Sequence, residues 1–512
     1  MTPPTTTVPP LTAATTPLTA LLHQRKSLTT GIVHLGLGNF HRAHQAVYTA
    51  AALAAQDGPW GILGVANRSG AIAAAMRRQD LRYGVLEISP DSSKVTIPAV
   101  HTGAIVAADN PNVVVDAIGN HGTAIVTLTV TEHGYTYSPR THRLDIDSPA
   151  VQADLTAGSA PVTSIGQIVR GLQRRATTHA GPITILSCDN LSDNGSHTAR
   201  LVREFIEALP AGEQSDLLPF LDHAVTFPNT MVDRIVPTTT DVDREAVARQ
   251  LGINDLIPVP AEPFTMWVLQ DRFAAGRPAW EHGGAVFTDD VHPYELLKLR
   301  LLNGTHSLIA YLGALDGRPT IPDSIAQPFV SDAARRILID DYLPSITVPA
   351  DVDIDHYVAE LFTRWSNSAL KHGTHQVGSD GSVKLAQRIP EPALLHLNNG
   401  RMPHHLALTL AAYLTCLAPP AGFDAGPHAA AMSDPARANL VALHSENPGS
   451  TAFVQAVLDG GLLGQDLAQH TDFTTRVAEF RDILIRHNPA AAAAEAAQAA
   501  RDDERNLAAA SA

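Results

Sequence analysis

Gly31-Ile32-Val33-His34-Leu35-Gly36-Leu37-Gly38-Asn39-Phe40-His41 decides the fold. Residues 31–35 form a short apolar run, which reads as a buried strand. Gly36 and Gly38 follow it, and Arg42 to Ala55 is an Ala-rich stretch that reads as a helix. A G-x-G between a strand and a helix permits a tight turn. It also lets the backbone approach a dinucleotide pyrophosphate at the helix N-terminus. His41 stands where such turns usually carry a third glycine. The end of the next strand carries Ala66-Asn67-Arg68-Ser69 and no acidic residue for an adenosine ribose. An Arg there accommodates a 2′-phosphate, so Arg68 leaves NADP open beside NAD.

Working outward, Trp60–Ala66, Ile125–Val130 and Ile183–Ser187 read as further strands. Residues 71–80 and 165–175 between them read as helices. This alternation predicts βαβ units and a largely parallel sheet. After about residue 290 strand-like runs become rare. Leu/Ala-rich helical segments dominate at 296–313, 355–371, 403–418 and 451–486. The predicted class is therefore α/β, with a mostly α-helical C-terminal domain. The predicted divisions are a lead-in over 1–30, a dinucleotide-binding domain over 31–289, a helical substrate domain over 290–490 and an Ala-rich tail over 491–512. Residues 1–20 read as a disordered lead-in, and the tail as a peripheral helix or a frayed end.

The chain has 512 residues, 45% hydrophobic and 17% charged, with a formal net charge of −15. That balance argues against a nucleic-acid or anionic-membrane partner. Two cysteines, Cys188 and Cys416, exclude a disulfide framework and a thiolate zinc site. The longest apolar stretch, near 406–418, is too short and too polar for a membrane span and suits a buried helix. No secretory signal is read at the N-terminus, so the cytoplasm is the expected location. Of 36 basic residues only five are lysines, which makes each lysine worth inspection.

Polar clusters end the apolar runs at 129–135 (TVTEHGY) and 187–195 (SCDNLSDNG), with a third at 227–235 (FPNTMVDRI). Ligands of parallel sheets lie beyond the carboxyl ends of the strands. The most informative segment is Pro293 to Ser307. Treated as one α-helix at about 100° per residue, it places Glu295, Lys298, Asn303 and His306 on one side. A lysine in apolar surroundings is pushed towards neutrality and can act as a base. An asparagine amide can donate to a developing alkoxide. A plain surface ion pair between Glu295 and Lys298 is the alternative reading of the same spacing.

GLGNFHRAHQ (36–45), TVTEHGY, SCDNLSDNG, FPNTMVDRIVP (227–237), KLRLLNGTHS (298–307) and DGSVKLAQRI (380–389) occur in this order. Together they resemble the polyol-specific long-chain dehydrogenases, the mannitol dehydrogenase family. The resemblance runs from about residue 31 to 390. It implies a Rossmann-type N-terminal domain, a helical C-terminal domain, metal-independent chemistry and a nicotinamide cofactor. It implies Lys298 as general base, Asn303 and Asn194 holding the alkoxide, His306 orienting substrate, and Glu295 linking Lys298 to solvent. Asp233 and Lys384 match positions that line the polyol site, and Gly36, Gly38, Asn39 and Phe40 match the cofactor turn. Gln376 stands where some members carry an arginine. The implied activity interconverts mannitol and fructose. D-arabinitol, sorbitol or a hexuronate such as fructuronate are alternative substrates, and the last should require an additional basic group. A non-catalytic dinucleotide sensor is the alternative of another class. A small-molecule polyol or ketose is the expected partner, and a monomer the expected state.

Overall fold

A computed structural model describes residues 8–24, 27–130, 132–138, 141, 143–156 and 158–511. Thr131 and the side chains of Glu132 and His133 in the TVTEHGY cluster lie outside the described residues. So do residues 1–7 of the lead-in and Ala512. The chain divides into two compact units, Met1–His292 and Pro293–Ala512.

The first unit is built on six strands: β1 (Thr30–Leu35), β2 (Gly61–Ala66), β3 (His101–Val106), β4 (Ile125–Leu128), β5 (Ile183–Ser187) and β6 (Val225–Thr226). Their spatial order is β3-β2-β1-β4-β5-β6, and every pairing is parallel. β4 and β5 are buried along their whole length, as strands covered on both faces must be. The order reverses between β1 and β4, which opens a crevice at their carboxyl ends. Two short sheets flank this one. In one of them Thr230–Asp233 runs antiparallel to Met266–Gln270.

The predicted helix after the glycine turn is two helices, α1 (Asn39–Ala43) and α2 (Gln45–Ala55), broken at His44 with φ −122° and ψ −88°. The break lets the His44 ring reach the Met266 carbonyl at 3.0 Å. Residues 8–20 are not a disordered lead-in. Leu11 donates its N–H to Asn254 at 2.9 Å and Asn254 donates to Pro9 at 2.7 Å. Leu11 and Ala20 are buried with Ile97 and Ile253. The few apolar side chains of this Thr/Pro-rich segment suffice to anchor it.

The second unit is helical around α3 (His404–Leu417), all fourteen residues of which are buried. A helix apolar on every side belongs in a core. Each large aliphatic side chain so buried contributes about 1.5–3 kcal/mol. Among the described residues no helix is long and apolar enough to cross a membrane. The region 451–486 is two helices, Ser450–Asp459 and Thr471–Arg486. The Ala-rich end forms the helix α4 (Pro489–Ser511), and it is not frayed. Ala492, Ala493 and Ala496 enter the core, and Asp503 accepts from His404 at 3.1 Å. Small side chains let this helix approach closely, so a sequence with little apolar bulk still packs.

Candidate active site

The glycine turn closes β1. Gly36 has φ +105°, and a Cβ there would lie 2.1 Å from the Thr129 carbonyl oxygen just past β4. Conformation and close approach both require glycine at this position. Gly36 and Leu37 donate to the Val65 carbonyl, each at 3.0 Å, which locks the turn to β2. Gly38 differs. It is extended, and the nearest atom to a Cβ there is the Gly36 carbonyl at 3.7 Å. The protein leaves space in front of α1, and that space fits a dinucleotide pyrophosphate. Asn39 accepts from Arg42 at 2.6 Å and donates to Pro237 and Thr239 at 3.4 Å, so it braces the turn. The Phe40 ring stacks on His44 at 4.9 Å. Arg68 is exposed in the turn after β2.

His41 stacks on His34 at 3.4 Å, and its Nε2 lies 3.2 Å from that of His101. An imidazole stack therefore fills the place where helix–strand packing usually uses a third glycine. Burial pushes His34 and His101 down to about 3, so both are neutral at ordinary pH. His34 sits within 3.0 Å of both the Gly36 carbonyl and the Thr129 hydroxyl, and so ties the turn to β4.

Beyond β5, Asp189 is buried and receives the Tyr135 hydroxyl. Burial lifts its carboxyl from 3.8 to about 7, against the stabilising hydrogen bonds from Tyr135 and Ser187. Cys188 is a packed thiol, pushed well up by burial and then by Asp189. Asn194 is fully buried. Its amide nitrogen donates to the Asp189 carbonyl at 3.0 Å and the Thr230 carbonyl at 2.9 Å, and its oxygen accepts from Thr230 N–H at 2.9 Å. Both amide protons are committed, so Asn194 clamps the β5 loop to the Thr230–Asp233 strand. Holding an alkoxide there would require release of one of these bonds. Asp233 is buried at the end of that strand, opposite Met266.

In the second unit the predicted single helix is interrupted. An α-helical turn (His292–Leu296) passes into a π-helix, Leu297–Gly304, and then into an α-helix, Thr305–Leu315. The wider i→i+5 turn means that a constant 100° phase does not place these side chains. The segment is closely packed. A Cβ on Gly304 would lie 2.3 Å from the Tyr342 hydroxyl. Arg300 leaves the same segment to donate to Ser345 Oγ at 3.0 Å and pair with Glu391 at 2.7 Å. Lys298 and Asn303 are half-buried on the π segment, whereas Glu295 is buried just before it.

His306 is buried, with its ring 5.2 Å from His372. Burial pushes its pKa well below the usual histidine value, and His372, Arg388, Arg364 and Lys384 push it further. It is therefore a neutral imidazole in a positive surrounding, keeping one donor and one acceptor nitrogen. Lys384 donates to the carbonyls of Ser379 at 2.7 Å and Val377 at 3.2 Å. Burial, then Arg388, lowers its pKa. Gln376 is exposed and accepts from Gly373 N–H at 3.3 Å, so it caps a short helix. The structure thus brings His306 and Lys384 together, with Asn303 beside them through Arg388. Arg388, Arg364 and His372 are missed by motif reading. Arg388 had a signal, since it follows Lys384 by one helical turn.

Residues 30–282 match the mannitol dehydrogenase Rossmann domain, and residues 290–483 match the mannitol dehydrogenase C-terminal domain. The chain belongs to the mannitol dehydrogenase family. It is 38% identical over 455 residues to D-mannonate oxidoreductase of Escherichia coli strain K12, covering 87% of this chain and 91% of that relative. A solved ternary complex of Pseudomonas fluorescens mannitol 2-dehydrogenase with NAD and D-mannitol superposes with a TM-score of 0.80 at 30% identity, covering 93% of this chain and 96% of that one. Substrate-free D-sorbitol dehydrogenase gives 0.83 at 27% identity, covering 94% and 99%.

Proposed function

We propose that this chain is a nicotinamide-dependent dehydrogenase that oxidises one secondary hydroxyl of an acyclic polyhydroxy substrate. We assign cofactor binding to residues 31–289 and most of the substrate contacts to residues 290–490. When bound, the nicotinamide supplies the two-electron acceptor. Gly36, Gly38, Asn39 and Phe40 hold the dinucleotide, with NAD as first choice and Arg68 as the group that decides use of NADP. Lys298 takes the hydroxyl proton, and Glu295 passes it to solvent. Asn303 donates an N–H to the oxyanion as it develops. Neutral His306 fixes the hydroxyl by one hydrogen bond. Asp233 and Lys384 contact the remaining hydroxyls, and Asn194 shapes the loop beside the site.

For the substrate we favour a hexonate, D-mannonate, with fructuronate as its keto form. One observation carries this choice. His306 is neutral, and Arg388, Arg364 and Lys384 all add positive potential at its ring. Such surroundings favour a carboxylate-bearing substrate over a neutral polyol. The relative named D-mannonate oxidoreductase supports the same choice. Mannitol and fructose form the second reading, favoured by the likeness to a complex with D-mannitol.

The test is a matrix of NAD and NADP against D-mannonate, D-mannitol, sorbitol and D-arabinitol, with fructuronate and fructose in reverse, followed by nicotinamide absorbance. Fructuronate should exceed fructose in kcat/KM by about tenfold or more, as expected for loss of one charge-assisted contact. Faster reduction of fructose would replace the hexonate reading with the mannitol one. Cofactor binding without turnover on the whole panel would leave a dinucleotide sensor. Light scattering should give a monomer.

A further inference from the structure

Arg388 ends the helix Gly381–Arg388 and is buried, yet among the described residues it makes no ion pair. Its Nη1 donates to the Asn303 carbonyl at 2.8 Å and to Ser307 Oγ at 2.7 Å. The Ser307 hydroxyl in turn donates to the same Asn303 carbonyl at 3.3 Å. Tyr311 and Tyr342 are the neighbours that favour its charge. Burying a guanidinium without a carboxylate is costly, so such a placement calls for a compensating use. The bonded carbonyl belongs to the one residue of the π segment whose amide is assigned to the oxyanion. Gly304, next in sequence, packs so close to Tyr342 that a Cβ there would meet its hydroxyl. Both contacts act on the carbonyl side of the Asn303 Cα, the atom from which its side chain starts.

We propose that Arg388 is the positioning residue of this site: with Ser307 it clamps the Asn303 carbonyl and thereby aims the Asn303 carboxamide at the reacting oxygen. The inference rests on the reading that Asn303 holds the oxyanion. A π turn inside an α-helix is rare and recurs at functional sites, and here it carries Asn303. Preorganised donors stabilise a transition state only when their geometry is set in advance.

The test is a double-mutant cycle in the full-length enzyme with NAD and either D-mannonate or D-mannitol, whichever turns over faster. Asn303→Ala should lower kcat by about 10²–10³-fold, as loss of one oxyanion donor does. Arg388→Gln should lower kcat by about tenfold to a hundredfold, with NAD affinity by fluorescence titration within about threefold of the parent. The double variant should be no slower than Asn303→Ala alone. Ser307→Ala, which leaves the guanidinium in place, should lose a few-fold in kcat and show the same non-additivity. It carries the cycle if Arg388→Gln fails to fold. Independent, multiplying losses, or full kcat in both Arg388→Gln and Ser307→Ala, would overturn the clamp. Full kcat in Asn303→Ala would instead overturn the oxyanion reading on which it rests.

Discussion

Gly36 and Gly304 each make room for a neighbour, in different ways. At Gly36 the neighbour is a backbone carbonyl, Thr129, and the conformation itself, φ +105°, is one that side chains avoid. At Gly304 the neighbour is a side chain, the Tyr342 hydroxyl, and the backbone is ordinary helix with φ −64°. The first glycine shapes a turn that sequence patterns announce. The second sits inside an apparently regular helix, at the end of a π turn that no hydrophobic period reveals. On the proposed reading, cofactor geometry is therefore written in backbone, whereas catalytic geometry is written in side-chain packing. Backbone contacts cannot yield, but a tyrosine can move.

Variants at the two places should separate accordingly. The largest effect is expected at Lys298: Lys298→Ala should lower kcat by about 10²–10⁴-fold while leaving NAD affinity nearly unchanged in a fluorescence titration. Retained turnover would remove the base from the catalytic side of the comparison. Gly36→Ala comes next. With a Cβ driven onto a fixed carbonyl at positive φ, it should weaken NAD binding by about tenfold or more and lower Tm by several degrees. Gly304→Ala should lower kcat by about tenfold, with NAD affinity intact, and Tyr342→Leu in the same chain should recover part of it. If Gly304→Ala changed NAD affinity and not kcat, the division between the two glycines would fail.

The smallest effect concerns pH. The folded protein holds a proton on Asp189 up to about pH 7, whereas its ordinary carboxyl releases it near 3.8. The unfolded chain binds fewer protons between these values, so this group's contribution to stability falls as pH rises from about 4 to about 7. Asp189→Asn should flatten that part of the Tm-against-pH curve. An unchanged slope would show that Asp189 is not the group titrating there.

The α/β class and the Gly36–Gly38 turn were legible because strand period and turn chemistry are local. The order of motifs identified the family for the same reason. Three features were hidden. The π segment packs on Tyr342, Ser345 and Glu391, all far along the chain. The commitment of both Asn194 protons depends on Thr230, thirty-six residues away. Leu11 and the Ala-rich C-terminal helix are anchored by shape, with too few apolar residues for any periodic signal. Arg388 could have been read from its spacing to Lys384, since i,i+4 places both on one helical face.

The bridge between Pro9–Leu11 and Asn254 bears on how the chain reaches this structure. It closes a loop of most of the first unit, so it adds contact order where βαβ units alone would be local. The first strands can pair as they are made, but the amino-terminal segment must wait until residue 254 has been synthesised. During that interval Ala20 can pair with Ile97, but Leu11 lacks its Asn254 and Ile253 partners. An expression host that elongates slowly through this region prolongs the exposure, and the soluble yield should track that delay more closely than it tracks final stability.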